Sequence, residues 1–311
     1  VDVAPAHVTV AMAPPPLCSE TTHAILVTYN PDDDLGRNLA AIRALVPQLV
    51  IVDNGSAPGC RARIREVAAA IGAQVIWNER NVGLATALNQ GVRHARAHGA
   101  VWLLFFDQDS YPYPGLLERL GAAVDAARGR RAVGIVGCTY DDPALPAGGR
   151  AGVLPWEEVE TVITAGSAIA APVYDLLGPF RDDFFIDFID VEYSLRARKN
   201  GFAVVRVAEP QMTHQVGRTT RHRLPWKVTG VSNHPPFRRY YAMRNHVAVI
   251  KQYAFVEPRW SMRSVLSRVK SVLLILLFED ERWPKLVHTA RGLVDGLRGR
   301  MGPLAGRGTP A

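Results

Sequence analysis

The chain has 311 residues, 48% of them hydrophobic and 21% charged, with a formal net charge of +7. That is enough apolar material for one large α/β domain plus an appendage. Cys18, Cys60 and Cys138 are widely spaced and odd in number, which excludes a disulfide framework or a zinc cluster and makes a reducing cytoplasm the expected setting.

Residues 1–22 contain Ala-Pro-Ala and Ala-Pro-Pro-Pro without helical periodicity. They are expected to be a flexible tail rather than a signal peptide, because a basic start and a continuous apolar segment are missing. Ala24 to Asn30 is an apolar, β-branched run stopped at Pro31, and Leu35 to Leu45 carries helical spacing up to a turn signal at Pro47. Leu49 to Val52 reads as a strand ending in Asp53-Asn54-Gly55-Ser56, Arg61 to Ile71 as a helix, and Gln74 to Trp77 as a strand. Gly83 to His98 reads as a helix and Val101 to Phe106 as a fourth strand. Alternation of this kind predicts βαβ crossovers and a mostly parallel sheet. Ligands bind off the carboxyl ends of such strands, where Thr28-Tyr29-Asn30, Asp53-Asn54 and Asp107-Gln108-Asp109 all fall.

Asp107 and Asp109 follow the last of these strands. If the segment stays extended, side chains at i and i+2 point the same way and both carboxylates reach one cation. Oxygen ligands suit Mg²⁺ or Mn²⁺, which keep positions open for substrate phosphates. The alternative is a plain polar turn in which Asp109 or Ser110 caps the next helix. Further on, Asp187, Asp190 and Glu192 precede a helical segment, Tyr193 to Asn200, that closes at Gly201. Acids at a helix start also interact favourably with its dipole, so a structural role competes with a chemical one for all three. His214 follows the strand-like Ala203 to Val207.

The charge is uneven. From Met212 onward there are 18 Lys and Arg against 5 Asp and Glu, whereas the preceding part carries 18 against 24. Arg263, Arg268 and Lys270 lie beside the apolar run Val272 to Leu277, which is too short to span a bilayer. This segment suits a basic helix lying on an anionic membrane surface, or a core or dimer helix with a solvated basic face. An acidic N-terminal part without a recognised binding motif speaks against nucleic acid.

Several ordered segments look like inverting family-2 glycosyltransferases of the GT-A fold: Val27 to Asn30, Val52 to Ser56, Asn81 to Gly91, Asp107 to Ser110, Thr164 to Ser167, Phe185 to Arg196 and Arg239 to Asn245. The resemblance covers roughly residues 24–253. Asp-Gln-Asp-Ser and Arg-Tyr-Tyr with Arg-Asn are especially similar to bacterial rhamnosyltransferases of surface-polysaccharide synthesis. It implies a GT-A domain over 23–215 and a mainly helical region over 216–311 that completes the acceptor side.

By this resemblance Asp107, Asp109 and His214 hold the metal, Asp109 most directly, and Asp190 is the base that activates the acceptor hydroxyl. Thr28, Tyr29, Asn30, Asp53, Asn81, Gly83, Asn89 and Asp107 form the nucleotide side, with Arg80 adding charge. Asp53 matches the residue that accepts a hydrogen bond from a pyrimidine N3–H, a role that suits an acceptor-only carboxylate. Gly166 and Ser167 resemble the loop beneath the sugar, and Asp187 and Glu192 orient the acceptor or support the fold. The implied donor is dTDP-L-rhamnose, with UDP-galactofuranose or a UDP-hexose as the alternative. The implied acceptor is lipid-linked or polysaccharide, met by a peripheral enzyme, in some oligomeric state, on the inner face of the plasma membrane. A non-catalytic assembly subunit of the same fold is the competing class.

Overall fold

The computed structural model describes residues 15–127, 131–143, 154–214, 220–224 and 227–304. The expected alternation opens the chain: β1 (Thr22–Thr28), α1 (Leu35–Leu45), β2 (Gln48–Asp53), α2 (Pro58–Ile71), β3 (Gln74–Trp77), α3 (Leu84–Ala97) and β4 (Trp102–Asp107). There follow β5 (Tyr111–Pro112), α4 (Leu116–Ala127), β6 (Val133–Asp141), β7 (Trp156–Glu158), β8 (Ser167–Ala170), α5 (Ala171–Leu177), α6 (Ile189–Lys199) and β9 (Ala203–Thr213). A hairpin of β10 (Thr220–Leu224) and β11 (Lys227–Val231) leads to α7 (Pro236–Tyr253), α8 (Pro258–Phe278) and α9 (Arg282–Leu297).

The sheet runs β3-β2-β1-β4-β8-β6-β9-β5, with β7 also on β9. β3, β2, β1 and β4 are parallel, β8 runs antiparallel between β4 and β6, and β6 is parallel to β9. All seven positions of β1 are buried because helices cover both faces. Alternate residues feed opposite cores. Ala24, Leu26, Leu104 and Phe106 pack with Leu39 and Ile42 of α1, Ile64 of α2 and Leu120 of α4. Ile25, Val27, Leu103 and Phe105 pack with Leu88 and Val92 of α3, Tyr193 of α6 and Val249 and Tyr253 of α7.

Of the tail segment, residues 1–14 lie outside the described residues, and the rest is tied to the domain at two points. Leu17 is buried, and the Trp102 indole N–H donates to the Pro15 carbonyl at 2.9 Å. In the C-terminal region, α7 shares the second core through Val249 and Tyr253. A Cβ on Gly292 of α9 would stand 2.3 Å from the Tyr240 carbonyl oxygen, so glycine is what lets α9 lie this close to α7. Buried Glu279 pairs with Arg239 and, at 2.9 Å, with Lys285, pinning the α8–α9 turn onto α7.

Candidate active site

The registers Thr28 to Asp53 and Val27 to Asp107 bring the ends of β1, β2 and β4 level. A pocket of about 690 Å³ opens at that edge, within the range that holds a cofactor-sized ligand. Asp107, Asp109, Asp187, Asp190, His214 and Arg238 all reach it.

β4 ends at Asp107, so Asp109 is not in extended backbone as expected. A turn folds it back instead: the Ser110 N–H donates to the Asp107 carbonyl at 3.0 Å, and the Asp107 N–H to Ser110 Oγ at 3.1 Å. Gln108 anchors that turn to the neighbouring elements. Its Oε1 accepts the Tyr29 N–H at 2.7 Å, and its carbonyl accepts Asn38 Nδ2 at 3.0 Å. β5 then pairs antiparallel with the end of β9, Tyr111 opposite Thr213, which sets His214 beside Asp109. The His214 Nδ1 lies 3.2 Å from Asp109 Oδ1 and its Nε2 3.8 Å from Asp107 Oδ2. Tyr140 holds the ring edge-on at 5.4 Å.

These three side chains offer ligand atoms within 4.8 Å of one another. The His214 Nδ1 is buried without a well-directed hydrogen bond, as a nitrogen waiting for a cation would be. Two carboxylates and one imidazole fit a hard divalent ion. Burial raises the Asp107 carboxyl above its ordinary range, opposed by His214. Burial alone would lower His214, but the Asp109 and Asp107 carboxylates outweigh it and hold the imidazole above its ordinary value.

Across the pocket, α6 starts four residues earlier than the sequence suggests, at Ile189, which puts Asp190 in its first turn. The Asp190 Oδ1 accepts the Val191 N–H at 2.8 Å, and the carboxylate also accepts from the Thr164 backbone. Burial, with Asp107 and Asp187 adding like charge, pushes its carboxyl up to about 6. Asp187 is gripped by Arg238, with Nη2 to Oδ1 at 2.5 Å and Nε to Oδ2 at 3.3 Å. Burial would raise Asp187, yet the Arg238 charge prevails and holds its carboxyl below the usual range. Arg238 in turn feels Asp107 and Asp109. Sequence reasoning missed it by starting the aromatic motif at Arg239. The available signal was an Arg pair in the first turn after Pro236: Arg238 turns to Asp187 at the pocket, whereas Arg239 turns away to buried Glu279.

The loop that carries Asp187 approaches the nucleotide-side loop closely. The Leu84 N–H donates to the Phe185 carbonyl at 2.6 Å. A Cβ on Gly83, at φ 92°, would stand 2.7 Å from the Phe185 ring. Gly83 is therefore required for backbone approach. Asn81 lines the pocket and closes the same loop, accepting from Asn54 Nδ2 at 3.0 Å and the Gly83 N–H at 2.9 Å.

Several sequence-selected residues stand behind the pocket wall rather than on it. Asp53 is 0% exposed, and its carboxylate is taken up by Thr28 Oγ1, by Ser56 and by Arg61 Nε at 3.0 Å. Asn30 spends its Oδ1 on the Ala57 N–H at 2.8 Å. Asn89 is buried and ties the Phe180 backbone, Asp182 and Tyr174 together. Glu192 is likewise buried, paired with Arg196 and accepting the Tyr253 hydroxyl at 2.8 Å. Gly166 packs on Cys138 and Met212, and the Ser167 hydroxyl donates to the Thr164 carbonyl at 2.7 Å. Arg80 is exposed. Thr28 and Tyr29 do reach the pocket.

Residues 24–148 match the family model described as glycosyl transferase family 2. The chain is 25% identical to the dTDP-rhamnosyl transferase RfbF of Shigella flexneri over 90% of its own length and 96% of that protein. Its fold is similar to that of S. aureus TarS residues 1–349 in complex with UDP-GlcNAc, with a TM-score of 0.60, 14% identity, and 89% and 81% of the two chains covered. It is also similar to the mannosyltransferase PcManGT of Pyrobaculum calidifontis in complex with GDP-Man and Mn²⁺, with a TM-score of 0.53, 16% identity, and coverage of 90% and 88%.

Proposed function

For this glycosyltransferase, which carries a family 2 domain over residues 24–148 on a GT-A fold, we propose metal-dependent, inverting transfer of L-rhamnose from dTDP-L-rhamnose to a lipid-linked or polysaccharide acceptor. The observation that carries this reading is the meeting of two groups in one pocket: the Asp107, Asp109 and His214 cluster, and Asp190, whose carboxyl feels the Asp107 charge. Asp107, Asp109 and His214 would hold a divalent cation, which would supply neutralisation of the charge on a diphosphate leaving group. Similarity to RfbF over nearly the full length of both proteins supports the donor sugar.

The chain's own residues then divide the work. Thr28, Tyr29 and Asn81 face the nucleotide end, while buried Asp53 fixes the shape of the loop behind them through Ser56 and Arg61. Arg238, aimed by Asp187, adds a fixed positive charge beside the two metal-side carboxylates, where charge develops as the sugar departs. Asp190 takes the proton of the incoming hydroxyl. Its raised pKa suits a base working near neutrality.

A screen of nucleotide sugars for thermal stabilisation in Mg²⁺ or Mn²⁺ tests the donor assignment, since binding only to the folded state raises the melting temperature. dTDP-L-rhamnose should stabilise more than UDP-galactofuranose or UDP-hexoses. A larger shift with a UDP-sugar would replace rhamnose with that sugar.

A further inference from the structure

The two sides of α8 differ in chemistry. Its inner side buries Trp260, Ser261 and Ile275. Ser264 Oγ lies 2.9 Å from His246 Nε2, and the Arg268 guanidinium sits 5.3 Å over the ring of Phe188, which lines the pocket next to Asp187. Arg268 is thus turned inward, away from the membrane-facing role the sequence suggested for it. The outer side exposes Met262, Leu266, Val269, Leu273, Leu276 and Leu277, each between 43% and 64%. Alternating steps of four and three align the first five as one apolar stripe along the helix. In the turn before α8, Phe255 is 99% exposed.

Charge decides what can cover this stripe. Residues 258–278 contain four basic side chains and no acidic one. With Arg268 turned inward, Arg259, Arg263 and Lys270 remain exposed, Arg263 also reaching Glu160. A second copy docking α8 on α8 would set these cations against each other, whereas an anionic bilayer offers phosphates for them and hydrocarbon for the stripe. No helix among the described residues is long and apolar enough to cross a membrane, so the helix would lie in the interface.

We propose that the outer face of α8, with Phe255, docks this protein on an anionic bilayer surface. This rests on the proposed transfer to a lipid-linked acceptor and extends it. Arg268 on the inner side of α8 covers Phe188, which lines the same pocket as Asp187 and Asp190, so the docking helix backs directly onto the pocket that would receive a membrane-held acceptor.

Flotation of the full chain with vesicles of phosphatidylcholine alone, or of phosphatidylcholine with phosphatidylglycerol, across a salt series tests this. Binding should require phosphatidylglycerol and weaken as salt rises. The triple variant Arg259→Gln, Arg263→Gln, Lys270→Gln should lose about 100-fold in partitioning, and Leu266→Ser with Leu273→Ser should lose it as well. Melting temperature and stabilisation by nucleotide sugar should be unchanged in both, because neither variant touches the pocket. Equal partitioning to both vesicle types, or none to either, would overturn the proposal. So would a stable dimer in solution that the Leu266→Ser, Leu273→Ser variant dissociates. Stabilisation by nucleotide sugars is read separately, so loss of the donor assignment and loss of the docking face remain distinguishable.

Discussion

Asn245 donates its side-chain amide to the backbone carbonyl of Asp187 at 2.9 Å, and the same Nδ2 reaches the carbonyls of Ile186 and Phe184 at 2.9 and 3.0 Å. Arg244, fully buried, donates to the Asp183 and Phe184 carbonyls at 2.9 and 3.0 Å. The segment they hold needs holding. Phe185, Asp187 and Phe188 have φ of 65°, 66° and 65°, each costing roughly 1–3 kcal/mol outside glycine. α7 therefore stabilises the strained backbone that positions Asp187 and leads into Asp190.

Asn245→Ala would take this donor from the part-buried Ile186 and Asp187 carbonyls. It is expected to lower stability by about 2–4 kcal/mol and to reduce turnover beyond what the unfolded fraction explains. Denaturant unfolding measured beside activity checks this. Wild-type values for both would mean the loop holds its shape unaided.

Arg238→Lys keeps the charge but loses the two-pronged grip on Asp187. Turnover should fall about tenfold with donor affinity little changed, and further in Arg238→Gln. Steady-state kinetics with separate kcat and KM read the difference. A change confined to KM would place Arg238 in ground-state binding instead.

The Asp190 carboxyl, pushed up to about 6, must be ionised to accept a proton, so kcat/KM should climb with pH through about 6 and then level. Stability runs the other way. Because the folded pKa exceeds the unfolded one, the protonated form stabilises the fold below the unfolded pKa, and that contribution is lost as pH rises through about 6. Asp190→Asn should therefore be nearly inactive yet more stable at pH 7, by about 1–3 kcal/mol, with donor affinity retained. Glu192→Gln offers the contrast. It breaks a buried ion pair with Arg196 and should act mainly through stability. If Glu192→Gln or Asp187→Asn damaged turnover far more than Asp190→Asn, the base would be misassigned.

Much of this arrangement was legible because it is local. Helix Leu35–Leu45 follows from its spacing, and the crevice beyond β1 and β4 follows from βαβ alternation. Asp107 and Asp109 stood out by residue type and spacing, and His214 through the family resemblance. What the sequence hid depends on partners far along the chain. Asn89 and Glu192 carry motif-like chemistry, but loops around Phe180 and side chains such as Tyr253 claim them. Asp53 sits in a strand-end turn as expected and faces inward because Arg61 and Ser56 close over it. Arg238 becomes meaningful only when α7 crosses a segment 51 residues earlier. The Asp109 turn, which the sequence left open beside an extended segment, depends on Ser110 closing it.

The central claim is that Asp107, Asp109 and His214 make transfer from a nucleotide sugar depend on a divalent cation. The most direct measurement is dTDP release from dTDP-L-rhamnose by the full chain with Mn²⁺ or Mg²⁺, after chelation, and in Asp109→Asn, with folding checked by melting. Release should require the metal and fall by at least about 100-fold on chelation and in the variant, at unchanged fold. Undiminished release in chelator, or near-normal release by Asp109→Asn, would contradict it.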